Sequence, residues 1–374
     1  MRHEVVVVRC EDYGHLPEAL TEGLAELGGA GRFFGPGERI FLKPNILGSH
    51  SPEEAVTTHP SLVEHMARAI REVGVEVVVG DSPGVGVPFT RSGLARAYTK
   101  TGIGEAAGRA GASLNYDTSY GEASLGGRLV GRANLLRAAL RADGVVNLPK
   151  AKTHTFTLLT ASIKNLFGLV PGMEKTGYHA KLKDVGRFSQ MLVDIAGFVR
   201  PRLTILDAVV GMEGNGPSGG RPRPIGALLL GEDPNAVDVA LCHILGLDPL
   251  VVPTIRAAAE GGFDPDGVKL IGDEVRTEGF ILPESWGRGV PGGFLGRLVL
   301  PLVRDALTAR PLVDPYKCTG CGTCARACPE GAISVTSGRA EIDRKLCIRC
   351  YCCQEVCTEG AVRIRKGWLQ GRTT

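Results

Sequence analysis

RIFLKPNILGSHSPEEAVTTHPSLVEHMARAIREVGVEVVVGDSPG, residues 39–84, holds two short apolar runs on either side of a stretch whose apolar residues recur at helical spacing. The pattern predicts strand, helix and strand in succession, the helix following Pro60. Working outward, VVVV (5–8), GVVNLP (144–149), RLTILDA (202–208), GALLLG (226–231) and VKLIG (268–272) read as further strands, with helices near 17–28, 184–199 and 234–245. Strands this continuously apolar have both faces covered. The expected class is therefore α/β, a Rossmann-like and mostly parallel sheet sandwiched between helices. Strand order is not legible in the pattern.

The chain has 374 residues, which at roughly 150 per domain points to two domains. A hydrophobic fraction of 43% and a charged fraction of 22% exclude a disordered tail or a collagen-like chain. The net charge of +3 is too balanced to imply nucleic acid. The N-terminus lacks the pattern of a signal peptide. No stretch reaches the roughly 18 apolar residues of a membrane span. The expected location is the cytoplasm, with reduced thiols. Residues 1–275 are expected to form the α/β domain. Residues 276–312 read as a linker with an amphipathic helix, FLGRLVLPLVRDALTAR, packed on the sheet. Pro301 and the few basic residues speak against the alternative of a membrane-surface helix.

Nine of the eleven cysteines lie between Cys318 and Cys357. There the chain repeats itself at a period of 29: VDPYKCTGCGTCARACPEGAISV (313–335) aligns without gaps on IDRKLCIRCYCCQEVCTEGAVRI (342–364). Each copy carries Cys-x2-Cys-x2-Cys-x3-Cys, the run in which three thiolates hold one iron–sulfur cube and the fourth ligates the other. By that rule Cys318, Cys321, Cys324 and Cys357 hold one [4Fe-4S] cluster, and Cys347, Cys350, Cys353 and Cys328 hold the second. Structural zinc sites use separated knuckles with a longer spacer. Thr358 stands where the first copy has Pro329, and Cys352 reads as a bystander thiol. Residues 313–368 are thus expected to be a small α+β ferredoxin domain. Residues 314–374 carry ten Lys/Arg against six Asp/Glu, the remainder 33 against 34. The excess either offsets the anionic clusters, docks an acidic electron donor or is a mixed solvated surface.

In open parallel sheets ligands bind beyond the carboxyl ends of the strands. Those ends carry Lys43-Pro44-Asn45, Asp81-Ser82-Pro83-Gly84, Asn147 to Lys150 leading into Lys152-Thr153-His154, and Asp207. Lys43, Lys150, Lys152, His154 and Lys164 would gather positive charge at one edge, a pocket for a carboxylate or phosphate. GDSPGVG (80–86) lacks any nucleotide-loop pattern and is as readily a turn. GMEGNGPSGG (211–220) is a Gly-rich loop that either brings backbone amides to a ligand or forms a lid. His179 is a general acid, a ligand or neither.

FLKPN (41–45), TTHPSLVEHMARAIRE (57–72), VVGDSPG (78–84), VNLPKAKTHTFTLLTASIKNLFGLVPGMEK (146–175), LDAVVGMEGNGPSGG (206–220) and PNAVDVALCHILGLDP (234–249) together resemble the family catalogued as domain of unknown function 362. The resemblance covers most of residues 1–275, and a C-terminal ferredoxin domain recurs in that family. It implies a redox-associated protein of anaerobic-type metabolism and supplies no reaction. It carries over candidate site residues only: Lys43, Asn45, Asp81, Lys152, His154, Lys164, Asn165 and Glu213. Of these, Lys152, His154 and Lys164 are read here as reacting groups and Lys43, Asn45, Asp81, Asn165 and Glu213 as cofactor-binding groups.

Three functions fit these features. An iron–sulfur oxidoreductase passes electrons through two [4Fe-4S] clusters to an anionic substrate or second cofactor, flavin not being legible either way. An electron-transfer partner protein serves another enzyme and has no small-molecule substrate. A metal-handling protein uses His59, His154 and His179. The expected partners are an electron donor or acceptor protein and an anionic small molecule, with no nucleic acid and no membrane span.

Overall fold

The computed structural model describes residues 3–286 and 308–367. The amphipathic helix expected in the linker falls almost wholly outside them. Twelve strands build the first part: β1 (His3–Arg9), β2 (Arg39–Pro44), β3 (Glu76–Val79), β4 (Ser113–Leu114), β5 (Tyr120–Ser124), β6 (Arg132–Leu136), β7 (Gly144–Leu148), β8 (Lys150–His154), β9 (Leu158–Thr160), β10 (Leu203–Asn215), β11 (Gly219–Gly231) and β12 (Val268–Gly272). The main sheet runs β12-β1-β11-β10-β7-β2-β3-β4, with β8 and β9 branching from β10 and a separate β5–β6 hairpin. Strands β10, β7, β2, β3 and β4 are mutually parallel.

Period-two side chains explain the sandwich. Along β1, Val6 and Val8 enter one buried cluster while Val5 and Val7 enter another on the opposite face. Along β2, Ile40 and Leu42 point one way and Phe41 the other. The first face is covered by helices Leu16–Glu26, Pro60–Glu72 and Arg91–Lys100, the second by Val185–Val199 and Pro234–Ile244. Pro60 begins its helix, whose amides are met by the preceding residue: His59 Nδ1 accepts from the Ser61 amide at 3.2 Å.

One expectation needs correction. β11 runs antiparallel to both β10 and β1, so GALLLG is not a parallel strand. The glycines of 211–220 are not a free lid either. They complete two 13-residue strands joined across residues 216–218. So short a connection can join only antiparallel neighbours.

The C-terminal module is built on two short pairs, β13 (Arg310–Val313) with β16 (Val362–Arg365) and β14 (Ile333–Thr336) with β15 (Arg339–Ile342). Two short helices, Thr323–Ala327 and Cys352–Glu355, begin within the two cysteine runs. Pairing of the first strand with the last closes the module on itself. Among the described residues no helix is long and apolar enough to cross a membrane.

Candidate functional site

The parallel strands bring Lys43, Asp81, Asn147 and Lys152 to one edge, and each meets a different fate. Lys43, at the end of β2, is fully buried and ion-paired to Asp81 Oδ1 at 2.8 Å. Its ammonium also donates to the Pro44 carbonyl and to Asn165 Oδ1, while Asp81 Oδ2 accepts from the Ile46 amide at 2.8 Å. Burial, the larger influence, pushes Lys43 down and Asp81 up, and the ion pair opposes both shifts. A side chain at Gly168 would collide with both partners. Asn165 ties the strand ends together, donating to Asn147 Oδ1 at 2.8 Å and accepting from Asn45 Nδ2 at 3.0 Å. Its short helix, Ser162–Asn165, is held by buried Asp238, which accepts from the Ser162 and Ile163 amides.

Beside this frame lies a pocket enclosing about 70 Å³, room for several waters or a small anion. Asn45, Asp81, Lys152, Lys164 and Asn165 line it, as the residue pattern anticipates, together with Lys175 and His179. Lys175 Nζ donates to the Ser82 and Pro83 carbonyls and to Ser82 Oγ at 2.6–3.1 Å, so the GDSPGVG segment is a wall of the pocket. Burial pushes Lys175 down to about 7, Asp81 opposing. Among the described residues Lys152 donates only to the Val56 carbonyl, at 2.6 Å, and burial, reinforced by Lys164 nearby, holds it well below the ordinary lysine range. Lys164 lies 5.8 Å above the Phe167 ring. His179, stacked on Phe188, is pushed by burial to about 3, and its Nδ1 has no hydrogen-bond partner among the described residues.

The remaining wall comes from the other module: Cys352 and Glu355. His154 sits behind that wall. Its Nδ1 accepts from the Phe156 and Thr157 amides, so Nε2 carries the proton, and that nitrogen faces Glu355 Oε1 at 3.1 Å. Burial pushes His154 down to about 4. For Glu355 burial acts upward, but the His154 N–H and the Lys164 ammonium outweigh it and hold the carboxylate at about 2. The modules are joined further by Gln354 Nε2 donating to the Asn215 carbonyl at 2.8 Å and by a Lys183–Glu330 ion pair at 2.9 Å. Pocket charge is unbalanced. Lys43 and Asp81 cancel, and Glu355 alone faces Lys152, Lys164 and Lys175.

Two expected residues lie elsewhere. Lys150 turns to Asp207 at 2.9 Å and Tyr13 at 2.6 Å, in a closed network where Tyr13 stacks on His59. Glu213 is buried against Arg221 and the Ile281 amide, away from the pocket. The three histidines of the metal-handling reading do not converge. Lys175, Cys352 and Glu355 escape the sequence reading. Lys175 is legible only as one more lysine in a loop, and the other two become pocket residues only when the modules dock.

The cysteines divide between two cavities. One is lined by Cys318, Cys321, Cys324 and Cys357, the other by Cys328, Cys347, Cys350 and Cys353. Cys352, read as a bystander, borders the second cavity as well as the lysine pocket. The four thiols of each set are the donors an iron–sulfur cube requires. Amides of Ala332, Ala340 and Ala361 donate to Cys328, Cys318 and Cys357 sulfurs at 3.2–3.4 Å, bonds that orient the thiols and withdraw charge from them.

Comparison with known proteins adds three findings. Residues 40–243 match a family described as a domain of unknown function, DUF362, and residues 311–334 match a 4Fe-4S binding domain. A thylakoid-associated protein of Synechocystis sp. is 36% identical over 279 residues, 72% of this chain and 83% of the relative. The lactate racemase apoprotein from Thermoanaerobacterium thermosaccharolyticum superposes with a TM-score of 0.43 and 11% identity over 65% of this chain and 57% of that one, too distant to carry an argument.

Proposed function

The chain belongs to the DUF362 family and carries a 4Fe-4S binding domain of the electron-transfer kind, and from that premise we propose that it passes electrons between a partner protein and an anionic molecule, substrate or second cofactor, held in the lysine pocket. One observation carries the reading: the pocket's last wall, Cys352 and Glu355, belongs to the cysteine-bearing module. We assign one cluster to Cys318, Cys321, Cys324 and Cys357 and a second to Cys328, Cys347, Cys350 and Cys353. Bound there, [4Fe-4S] clusters supply one-electron transfer.

The chain's own residues do the rest. Lys152 and Lys164 offer the anion two amino groups faced by the single carboxylate of Glu355, in a site where burial makes each charge worth more than in water. Asn165, on the same short helix as Lys164, and the Lys43–Asp81 pair tie together the ends of β2, β3 and β7 beside the pocket. His154, fixed as the Nε2–H tautomer, orients Glu355 and so the module's helix. Lys175, brought to about 7 by burial, donates to Ser82 and Pro83 and fixes that wall of the pocket. Reduction of a two-electron acceptor then takes two electrons in turn from a one-electron donor protein and two protons.

Calorimetry with oxalate and inorganic phosphate tests the anion site. Lys164→Ala should weaken binding about 10- to 100-fold, the worth of one charge-assisted hydrogen bond, with the fold intact by circular dichroism. Undiminished affinity removes the pocket from the account. The runner-up, an electron carrier without a small-molecule acceptor, draws on the exposure of Cys321 and Tyr316. It requires that no anion bind and that reduced protein be reoxidised only by another protein.

A further inference from the structure

We propose that the two cysteine quartets do different jobs: that of Cys318, Cys321, Cys324 and Cys357 exchanges electrons with a partner protein at the surface, while that of Cys328, Cys347, Cys350 and Cys353 serves the lysine pocket, which it meets through the Cys352 side chain. This rests on the reading of the pocket as an anion site.

Three observations carry it. Cys352 is 3% exposed and forms part of the walls of both the inner cavity and the lysine pocket. One buried thiol therefore separates the inner quartet from whatever the pocket holds. In that pocket His179 Nδ1 is buried with no hydrogen-bond partner among the described residues, an unmet polar atom that a ligand would satisfy. The outer quartet borders a different cavity through Cys357, where Lys317 and Arg363 stand with Glu54 and Glu284 rather than with a group of buried lysines. The residue 29 positions before Cys352 is Thr323, whose hydroxyl accepts from the Arg326 guanidinium at 3.1 Å at the protein surface. Cys321 is exposed, whereas its counterpart Cys350 is buried; Cys324 and Cys353 are buried alike. Exposed Lys317 and Arg326 flank the outer quartet, which suits a one-electron carrier with an acidic face.

The test is a redox titration of the full chain, purified without oxygen, followed by electron paramagnetic resonance with and without oxalate or inorganic phosphate, with calorimetry on the same samples. The anion should bind and lower the potential of one cluster signal only, because added negative charge opposes the incoming electron. Cys321→Ser, at an exposed ligand, should move the other signal and thereby mark it as the outer one. Cys352→Ser and Cys352→Ala should keep the wild-type iron and sulfide content and alter only the anion-sensitive signal. The proposal is overturned if a bound anion shifts both signals alike, shifts neither, or shifts the one marked by Cys321→Ser. Loss of iron from both Cys352 variants overturns the contact role. Absence of any binding in calorimetry instead defeats the anion-site reading itself, and this inference with it.

Discussion

The two halves of the cysteine repeat share all four cysteines and the Glu-Gly-Ala after the last of them, but differ at the positions between the cysteines. Residue 326 is an exposed arginine in the first half, and its counterpart in the second is Glu355, facing His154 of the α/β domain. Residue 323 is a surface threonine where the second half has Cys352, buried between two cavities. The backbone differs as well. Gly320 and Gly322 take positive φ, as glycine does freely, but their counterparts are Arg349 and Tyr351 at φ 61° and 63°. Such a conformation costs roughly 1–2 kcal/mol for a non-glycine residue. The side chains provide compensation, Arg349 donating to the Thr308 carbonyl at 3.1 Å and the Tyr351 hydroxyl to the Ala309 carbonyl at 2.9 Å. A cluster-binding loop therefore fixes only ligand spacing and backbone shape. The positions between ligands are free to turn one half toward solvent and the other toward a second domain.

Ligand removal should break this comparison most. Wild-type protein is expected to carry about eight irons and eight sulfides per chain, two cubes' worth. Cys350→Ala should roughly halve both and also abolish oxalate binding, because the pocket wall is part of the inner loop. Cys321→Ala should lose as much iron yet leave oxalate binding nearly unchanged. Equal effects on binding would erase the distinction between the halves, as elemental analysis and calorimetry can tell.

Acid should act next, and through the pocket side. His179 ordinarily titrates near 6.5 but is held at about 3 in the fold. With its folded value depressed, the unfolded chain binds the extra proton, so stability is whole above about pH 6.5 and falls as pH drops toward 3. The loss is on the order of 2 kcal/mol by pH 5. His179→Phe, which keeps a ring against Phe188, should flatten the acid limb of a denaturation curve. An unaltered limb would mean that this imidazole is not buried neutral.

The smallest effects concern the loop backbone. Gly320→Ala should destabilise the module by about 1–2 kcal/mol or more, through positive φ and because its methyl would meet the Gly338 carbonyl. Arg349→Gly should change stability by less than about 1 kcal/mol, relief of strain offsetting one lost hydrogen bond. Thermal unfolding of the two variants measures the difference, and matching losses would show that the halves are equally constrained.

Much of the site was legible because strand ends are. Apolar runs mark where β2, β3 and β7 stop, and the polar residues that follow are the ones the pocket region uses: Asn45, Asp81, Asn147 and, beyond them, Lys152. Lys150 and Glu213 misled because a residue's place on the chain does not say which face it turns to. Lys150 projects to Asp207, and Glu213 to Arg221. β11 misled because alternation and apolarity carry no direction.

By itself the amino-acid order determined the α/β class, the position of the repeat and the spacing of its cysteines, since these follow from local periodicity and from distances of a few residues. Only the tertiary structure decided which half of the repeat turns inward, that Glu355 closes a pocket opened by lysines about two hundred residues earlier, and that Cys352 stands between two cavities. Those facts depend on how one buried surface fits another, and contacts between segments so far apart leave no period in the chain that could announce them.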